Sequence, residues 1–416
     1  MADRIVLAFS GQGANDAIRG MMEAYGEALT AAGLSVVHVS TQPEELQYAA
    51  SQVASGAVAF GITWLGIAQD LSAKFGSDPA PKNLWEACGV PLVKFQGDIP
   101  AYFSDFHRDV PLNSVNLYGA AEFLRFRRRW LPDASSMAGL VPPMALDPCD
   151  RSRIDASTRS GGKLVFLKNG NSPEELQRLW HQRLPPSIST LLVGMASEAT
   201  PPAMLGGPFH VGDFAADYLQ SEHIDPESVR YLIPFFAAQI DDFLRRVKST
   251  MIAEAIADLP VIIQGRNWHH LDLRGRKAML VEGQDYVATR SVYMDQLGII
   301  DMSPNVDSSP HERVQRVAGS YALALTNRQG WLRDNFEGYE DLTFDFTPES
   351  IRARVSDVIS NPRRYVDLGL AFGERFRTVF DRGAFADRVI RAADLVALQW
   401  LREKPVIQPF FSWPRR

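Results

Sequence analysis

Short apolar runs and amphipathic stretches alternate along most of this chain. Residues 5–9 (Ile-Val-Leu-Ala-Phe) carry no polar position, the pattern of a strand buried on both faces of a parallel sheet. The run ends in Ser10-Gly11-Gln12-Gly13, a loop signal. Asn15 is placed to cap a helix on which Ile18, Met21, Met22, Tyr25 and Leu29 recur at helical spacing. Gly33 stops that helix, and residues 36–39 form the next strand. Further strands are predicted at 57–65 and 90–95. This alternation builds a parallel sheet with helices on both faces.

Residues 111–160 lose the rhythm. They are rich in Pro, Ser and Asp and read as an irregular outer part of the first domain. Residues 163–168 look like a strand. Ser172-Pro173-Glu174-Glu175 is a helix start, with a Ser cap, Pro in the first helical position and Glu three residues after the cap. A long helical region covers 226–257, broken near Pro234. A second alternating unit begins at Val261: strands at 261–264, 280–281, 297–302, 321–326 and 342–346, a helix starting at Pro310, and another from Thr347-Pro348-Glu349 to Asn361-Pro362. From 366 to 401 the pattern is mostly helical, and the Pro- and aromatic-rich residues 405–416 read as an extended tail. The predicted fold is α/β, two Rossmann-like domains facing a central cleft. Residues 1–220 form the first domain, 221–385 the second, and 386–416 a helix and tail packing back on the first.

At 416 residues the chain exceeds one ordinary core, which agrees with two domains. A hydrophobic fraction of 46% and a charged fraction of 22% exclude the disordered and fibrous classes. The net charge of −6 argues against a nucleic-acid partner, and the basic stretch 125–129 reads as a solvated helix face. Cys88 and Cys149 are too few for a disulfide framework or a four-cysteine zinc site, and they fit a reducing cytoplasm, the expected location. The N-terminus shows no signal-peptide pattern and no apolar run has bilayer length, although an acceptor on a membrane surface leaves peripheral contact open.

Ligands of open parallel sheets bind beyond the carboxyl ends of the strands, which singles out the loops at 10–15, 97–102, 265–270, 303–312 and 326–330. Gly11 and Gly13 allow close backbone approach to an anion at a helix start; a tight turn explains them equally well, and Asp16 breaks the dinucleotide fingerprint. Asp98 follows a strand and is a candidate base for an acceptor hydroxyl, or a turn cap before Pro100; His107 is a second candidate. The segment Ser303 to Arg313 lies between a strand and a helix start, where free N–H groups, Asn305, His311 and Arg313 are placed to meet a diphosphate and Glu312 a hydroxyl. Ser309-Pro310-His311-Glu312 is also a capping box, which gives Glu312 a purely local task. His269-His270 lack the spacing of a helical metal pair, no Asp-x-Asp stands in a strand-end loop, and no nucleophile elbow occurs. The expectation is therefore chemistry without metal or cofactor.

Pro304-Asn305, His311-Glu312-Arg313-Val314, the strand Ala322-Leu323-Ala324-Leu325-Thr326-Asn327 and Trp331-Leu332 resemble the spore-maturation-protein type of group 1 glycosyltransferases. Gly265-Arg266-Asn267-Trp268, Asn361-Pro362 and Gly373-Glu374-Arg375 are similar to further elements of that family, as is the stretch from Val90-Pro91-Leu92 to Asp98-Ile99-Pro100. The resemblance covers about residues 255–385 well and the N-terminal half loosely. It implies the two-domain GT-B architecture, a nucleoside-diphosphate sugar as donor and transfer without an essential metal; the acceptor, whether glycan, protein or lipid, stays open. It places Glu312 and Arg313 at the donor site, with Thr326 and Asn327 near the phosphates and Arg266 or Arg313 against the leaving group. The chain departs from the family where an acidic residue commonly holds the ribose, here Arg316, and at a small Gly, here Tyr321. Those departures allow a degenerate, non-catalytic binding or scaffold protein; a nucleotide-sugar epimerase on the same architecture is the other alternative.

Overall fold

The apolar runs become strands of two parallel sheets. The computed structural model of the protein describes residues 4–11, 16–74, 80–107, 111–131, 136–303 and 305–403. In the first unit β1 (Ile5–Phe9), α1 (Ala17–Ala31), β2 (Ser35–Val39), α2 (Pro43–Ala54) and β3 (Val58–Trp64) follow in turn. A small hairpin, β4 (Ser72–Ala73) with β5 (Lys82–Asn83), leads into α3 (Leu84–Cys88). Then come β6 (Leu92–Gln96), β7 (Ser114–Tyr118), α4 (Ala121–Trp130) and β8 (Met137–Leu140). The strand order is β2-β1-β3-β6-β7-β8, all neighbours parallel.

The second unit opens with α5 (Ala156–Gly161) and β9 (Leu164–Leu167), then four helices: α6 (Pro173–Arg183), α7 (Pro186–Met204), α8 (Val211–Ser221) and α9 (Ile233–Ile256). It continues through β10 (Ile262–Gln264), β11 (Met279–Val281), α10 (Arg290–Asp295), β12 (Gly298–Ile300), α11 (Glu312–Gly319), β13 (Leu323–Asn327), α12 (Gly330–Asn335) and β14 (Thr343–Phe344). Helices α13 (Pro348–Ser360) and α14 (Pro362–Val379) close it, and α15 (Arg382–Glu403) ends the described chain. Its sheet runs β11-β10-β9-β12-β13-β14, again parallel throughout. Val165 lies between Ile262 and Ile299, and every residue of β9 is buried, as a strand covered on both faces requires.

The units divide at Pro142/Pro143 and again at Asp381/Arg382, not at residue 220. The reason is β9. Its apolar run is legible in the sequence, but its pairing is not, and it is the central strand of the second sheet. The chain after Arg382 belongs to the first unit, where Phe385 lies 5.7 Å from Phe95 and 4.8 Å from Tyr25, ring centroid to ring centroid. The expected aromatic tail from 405 onward lies outside the described residues. The stretch 111–160 is more regular than its composition suggests. It contains β7, α4 and β8, and β7 (Ser-Val-Asn-Leu-Tyr) escapes an apolar search because Ser114 and Asn116 are buried polar residues.

Candidate functional site

The second sheet reverses direction between β9 and β12. The chain leaves β9 for β10 and β11 on one side, then returns with β12, β13 and β14 on the other. Such a reversal opens a crevice beyond the carboxyl ends of the two strands. Lys168 immediately follows β9, and Asp301 immediately follows β12.

Asp301 is fully buried. Its Oδ1 accepts from Arg313 Nε at 2.7 Å and lies 3.6 Å from His311 Nδ1, while its Oδ2 has no hydrogen-bond partner. Burial favours the protonated acid, but Arg313 and then His311 outweigh it and hold the carboxyl below the ordinary range. The same pairing raises Arg313: burial opposes its charge, and Asp301 and Glu312 more than restore it. His311 is the N-cap of α11, its Nδ1 accepting from the Arg313 N–H at 3.4 Å. The predicted cap at Ser309 is thus displaced by two residues, because the helix begins at Glu312. Burial and Arg313 lower the His311 pKa more than Glu312 and Asp301 raise it, so the ring is neutral at neutral pH. Glu312 Oε2 stands 3.3 Å from the same Nδ1, and its side chain is partly exposed at the helix start.

Helix α9 adds charge from the side. Asp241, Arg245 and Lys248 share one helical face. Asp241 Oδ2 lies 2.6 Å from Arg245 Nε, and its Oδ1 accepts from Asn305 Nδ2 at 2.8 Å. Asn305 Oδ1 in turn accepts from Lys248 Nζ at 2.6 Å. Lys248 is buried, which lowers its pKa to about 8. Lys168 is lowered to about 8 by burial, with Arg313 and Arg245 acting the same way against Asp301 and Asp242. The described residues give the Lys168 ammonium no ion pair. Lys168 thus feels both Arg245 and Arg313 at the reversal point, beside a helix N-terminus whose N–H groups and dipole favour an anion.

The sequence singled out Arg313 but not Lys168, Arg245 or Asp301. Lys168 and Asp301 sit at or inside apolar runs that read simply as strands, and Arg245 belongs to a polar stripe on a helix whose partner only the fold supplies. Other predicted residues are held by contacts of their own. Thr326 and Asn327 end β13 buried, and Asn327 Oδ1 accepts from the Ser303 N–H at 2.8 Å. Gln329 Nε2 donates to the Val306 carbonyl at 2.6 Å, so the end of β13 pins the 303–309 loop. Arg266 is exposed, its Nε 3.2 Å from Glu282 Oε1. Its loop is locked to the one after β9: a Cβ at Gly265 would strike the Lys168 carbonyl, and one at Gly170 the Trp268 indole.

The two departures from the family pattern become structural. Arg316 points into the interior, with Nε 2.6 Å from Asp147 Oδ2, Nη1 donating to Thr289 Oγ1 at 2.9 Å, and its guanidinium 3.7 Å above the Tyr286 ring. Tyr321 has φ 53°, the left-handed backbone that glycine adopts without strain, and its ring lies under Arg377 at 4.1 Å.

In the first unit Gly11 lies two residues beyond the end of β1, and Gly13 lies outside the described residues. Asp98 follows β6 and is partly exposed. His107 does not present a base. It is 1% exposed, its Nδ1 is 3.0 Å from Tyr118 Oη, and burial with Lys94 and Arg127 lowers its pKa to about 3. It belongs to a buried polar layer under β6 and β7, where Gln96 Nε2 donates to Asn116 Oδ1 at 2.8 Å and Asn116 Nδ2 to Ser136 Oγ at 2.6 Å.

Among the described residues no helix is long and apolar enough to cross a membrane, and no three or more His, Cys, Asp or Glu side chains form a metal-holding group. No family model and no curated protein sequence matches the chain. Solved structures do. The DNA-modifying enzyme β-glucosyltransferase, determined with and without its substrate uridine diphosphoglucose, aligns over 94% of this chain and 100% of its own at 10% identity and a TM-score of 0.50. An α-glucosyltransferase in complex with UDP-glucose and DNA containing an abasic site covers 93% and 99% at 10% identity, TM-score 0.49. Sucrose-phosphate synthase from Thermosynechococcus elongatus covers 95% and 100% at 10% identity, TM-score 0.46. The two six-stranded parallel sheets and the first of these likenesses establish an α/β fold of the GT-B type.

Proposed function

We propose that this GT-B-type chain is a glycosyltransferase that moves a sugar from a nucleoside-diphosphate sugar to an acceptor hydroxyl. The observation that carries the reading is the trio Lys168, Arg245 and Arg313 at the reversal point of the second sheet, with the N-terminus of α11 beside it. In the reaction the bond between the sugar's anomeric carbon and the diphosphate oxygen breaks, and a bond to the acceptor oxygen forms. Negative charge grows on the diphosphate, where fixed cations and N–H dipoles stabilise it without reorganising. The acceptor proton goes to Asp98, which with His107 buried is the remaining candidate base. The cations are the protein's own, so the transfer runs without an added metal, and the −6 net charge favours a glycan, protein or lipid acceptor over nucleic acid.

The resemblance of residues 304–327 to spore-maturation-type glycosyltransferases supports a donor of this class, and the glucosyltransferases of like fold were determined with uridine diphosphoglucose or UDP-glucose. The test is calorimetric titration with a panel of nucleoside diphosphates in EDTA, repeated with magnesium, followed by a transfer assay with the sugar nucleotides of whichever base binds. One nucleotide is expected to bind in EDTA, and Asp98→Asn is expected to keep that binding and lose at least about 100-fold in turnover. A folded sample that binds none of them refutes the reading.

A further inference from the structure

The face of α9 that meets the 303–309 loop is charged where a helix in this position is ordinarily apolar. Asp241 and Lys248 are 2% and 4% exposed, and between them they hold both ends of the Asn305 side-chain amide: Nδ2 donates to Asp241 Oδ1 at 2.8 Å, and Oδ1 accepts from Lys248 Nζ at 2.6 Å. Asn305 is itself 8% exposed and has φ 49°. Asn enters the left-handed region more readily than most residues, but it still does so at a cost that surrounding bonds must offset. The other side of the loop is tied to β13 and α12: Ser303 N–H to Asn327, the Val306 carbonyl to Gln329, and Asp307 Oδ1 to the Gly330 N–H at 2.7 Å. Asp241 also sets Arg245, through the 2.6 Å contact of its Oδ2.

We propose, resting on the donor reading above, that Asp241 and Lys248 are positioning residues: by clamping Asn305 they fix the loop that leads into α11, and so aim the α11 N-terminus, Arg313 and Arg245 at the donor diphosphate. The arrangement suits positioning better than stability. Burying an aspartate and a lysine is costly, and their mutual attraction offsets that only in part, so apolar residues here would hold the helix at least as well. What the charges supply is one geometry for one loop.

The test exchanges the partners. Asn305→Asp keeps a residue that tolerates the left-handed backbone but sets a second carboxylate against Asp241. Adding Asp241→Asn restores the pattern, since the new amide donates to residue 305 and its oxygen stays beside Arg245, while Lys248 keeps an acceptor. Affinity for inorganic pyrophosphate, a probe independent of the nucleotide base, is measured by calorimetry on the full chain, with thermal unfolding in parallel. Asn305→Asp is expected to weaken pyrophosphate binding at least about 10-fold at a temperature where it remains folded, and the double variant to return within about 3-fold of the parent. Lys248→Arg should retain binding and Lys248→Met should not. Parental affinity in Asn305→Asp, or a double variant no better than the single, overturns the positioning role while leaving the donor site standing. Failure of the parent protein to bind pyrophosphate overturns the donor site and the positioning role together.

Discussion

At the scale of single residues, Arg313 and Lys168 differ in what each would cost to remove. Arg313 neutralises Asp301, a carboxylate with no exposed surface, so Arg313→Ala strands a buried charge and should lower stability by roughly 3–5 kcal/mol. Among the described residues Lys168 makes no ion pair, so Lys168→Ala should leave stability within about 0.5 kcal/mol of the parent and still weaken nucleoside-diphosphate binding roughly 10-fold. Denaturant unfolding and calorimetry on the two variants separate these outcomes; equal effects on stability would show that Lys168 is not held in reserve for an anion. The buried layer of the first unit gives a pH signature. Lys94 is fully buried, and burial with Arg127, opposed by Asp70, takes its pKa from 10.5 down to about 7. Below 10.5 the unfolded chain binds a proton that the folded one refuses until about 7. Stability is therefore lost as pH falls across that window, by on the order of 3–5 kcal/mol. Lys94→Met should remove most of this slope in unfolding midpoints measured across the window. His107, lowered to about 3, acts in the same direction between its ordinary 6.5 and that value.

At the scale of elements, each unit depends on a helix whose contacts the local sequence does not show. Helix α9 is readable as a helix from 226–257, yet only the fold shows that its Asp241-Arg245-Lys248 face meets the 303–309 loop. Helix α15 lies far along the chain from the sheet it covers: Phe385, 1% exposed, packs among Phe95 and Tyr25. Phe385→Ala should cost about 3–5 kcal/mol, read as a lower unfolding midpoint of the first unit with nucleotide affinity unchanged. A midpoint within experimental scatter of the parent would mean that α15 is dispensable to that sheet. The loops at the strand ends were found from the strand–helix rhythm, and the Ser172 cap is as predicted, its Oγ accepting from the Glu175 N–H at 2.9 Å. The α11 cap was misplaced because Ser309 and His311 both offer an acceptor, and the choice depends on where Asp301 and Arg313 draw the turn.

At the scale of the whole molecule, residues 143–381 form an uninterrupted unit with a complete six-stranded sheet and its own apolar core. Expressed alone, this segment should unfold cooperatively and bind the same nucleoside diphosphate as the full chain; a segment that stays folded but does not bind would place the nucleotide elsewhere. The first unit is discontinuous and gains its last helix from beyond Arg382. The sequence by itself determined the alternation of strands and helices, hence the α/β class, because burial on two sheet faces leaves apolar runs and burial on one helix face leaves a period. It also singled out Arg313 and the segment from Ser303 to Arg313 as candidates, because a strand end followed by a helix start is a local pattern. Tertiary structure alone decided that β9 is the centre of the second sheet, that Lys168 and Arg245 join Arg313, and that Arg316 and Tyr321 serve the interior. Strand pairing and charge clustering bring together residues tens of positions apart, and hydrophobic periodicity carries no information about which distant partner a strand or a charged face will meet.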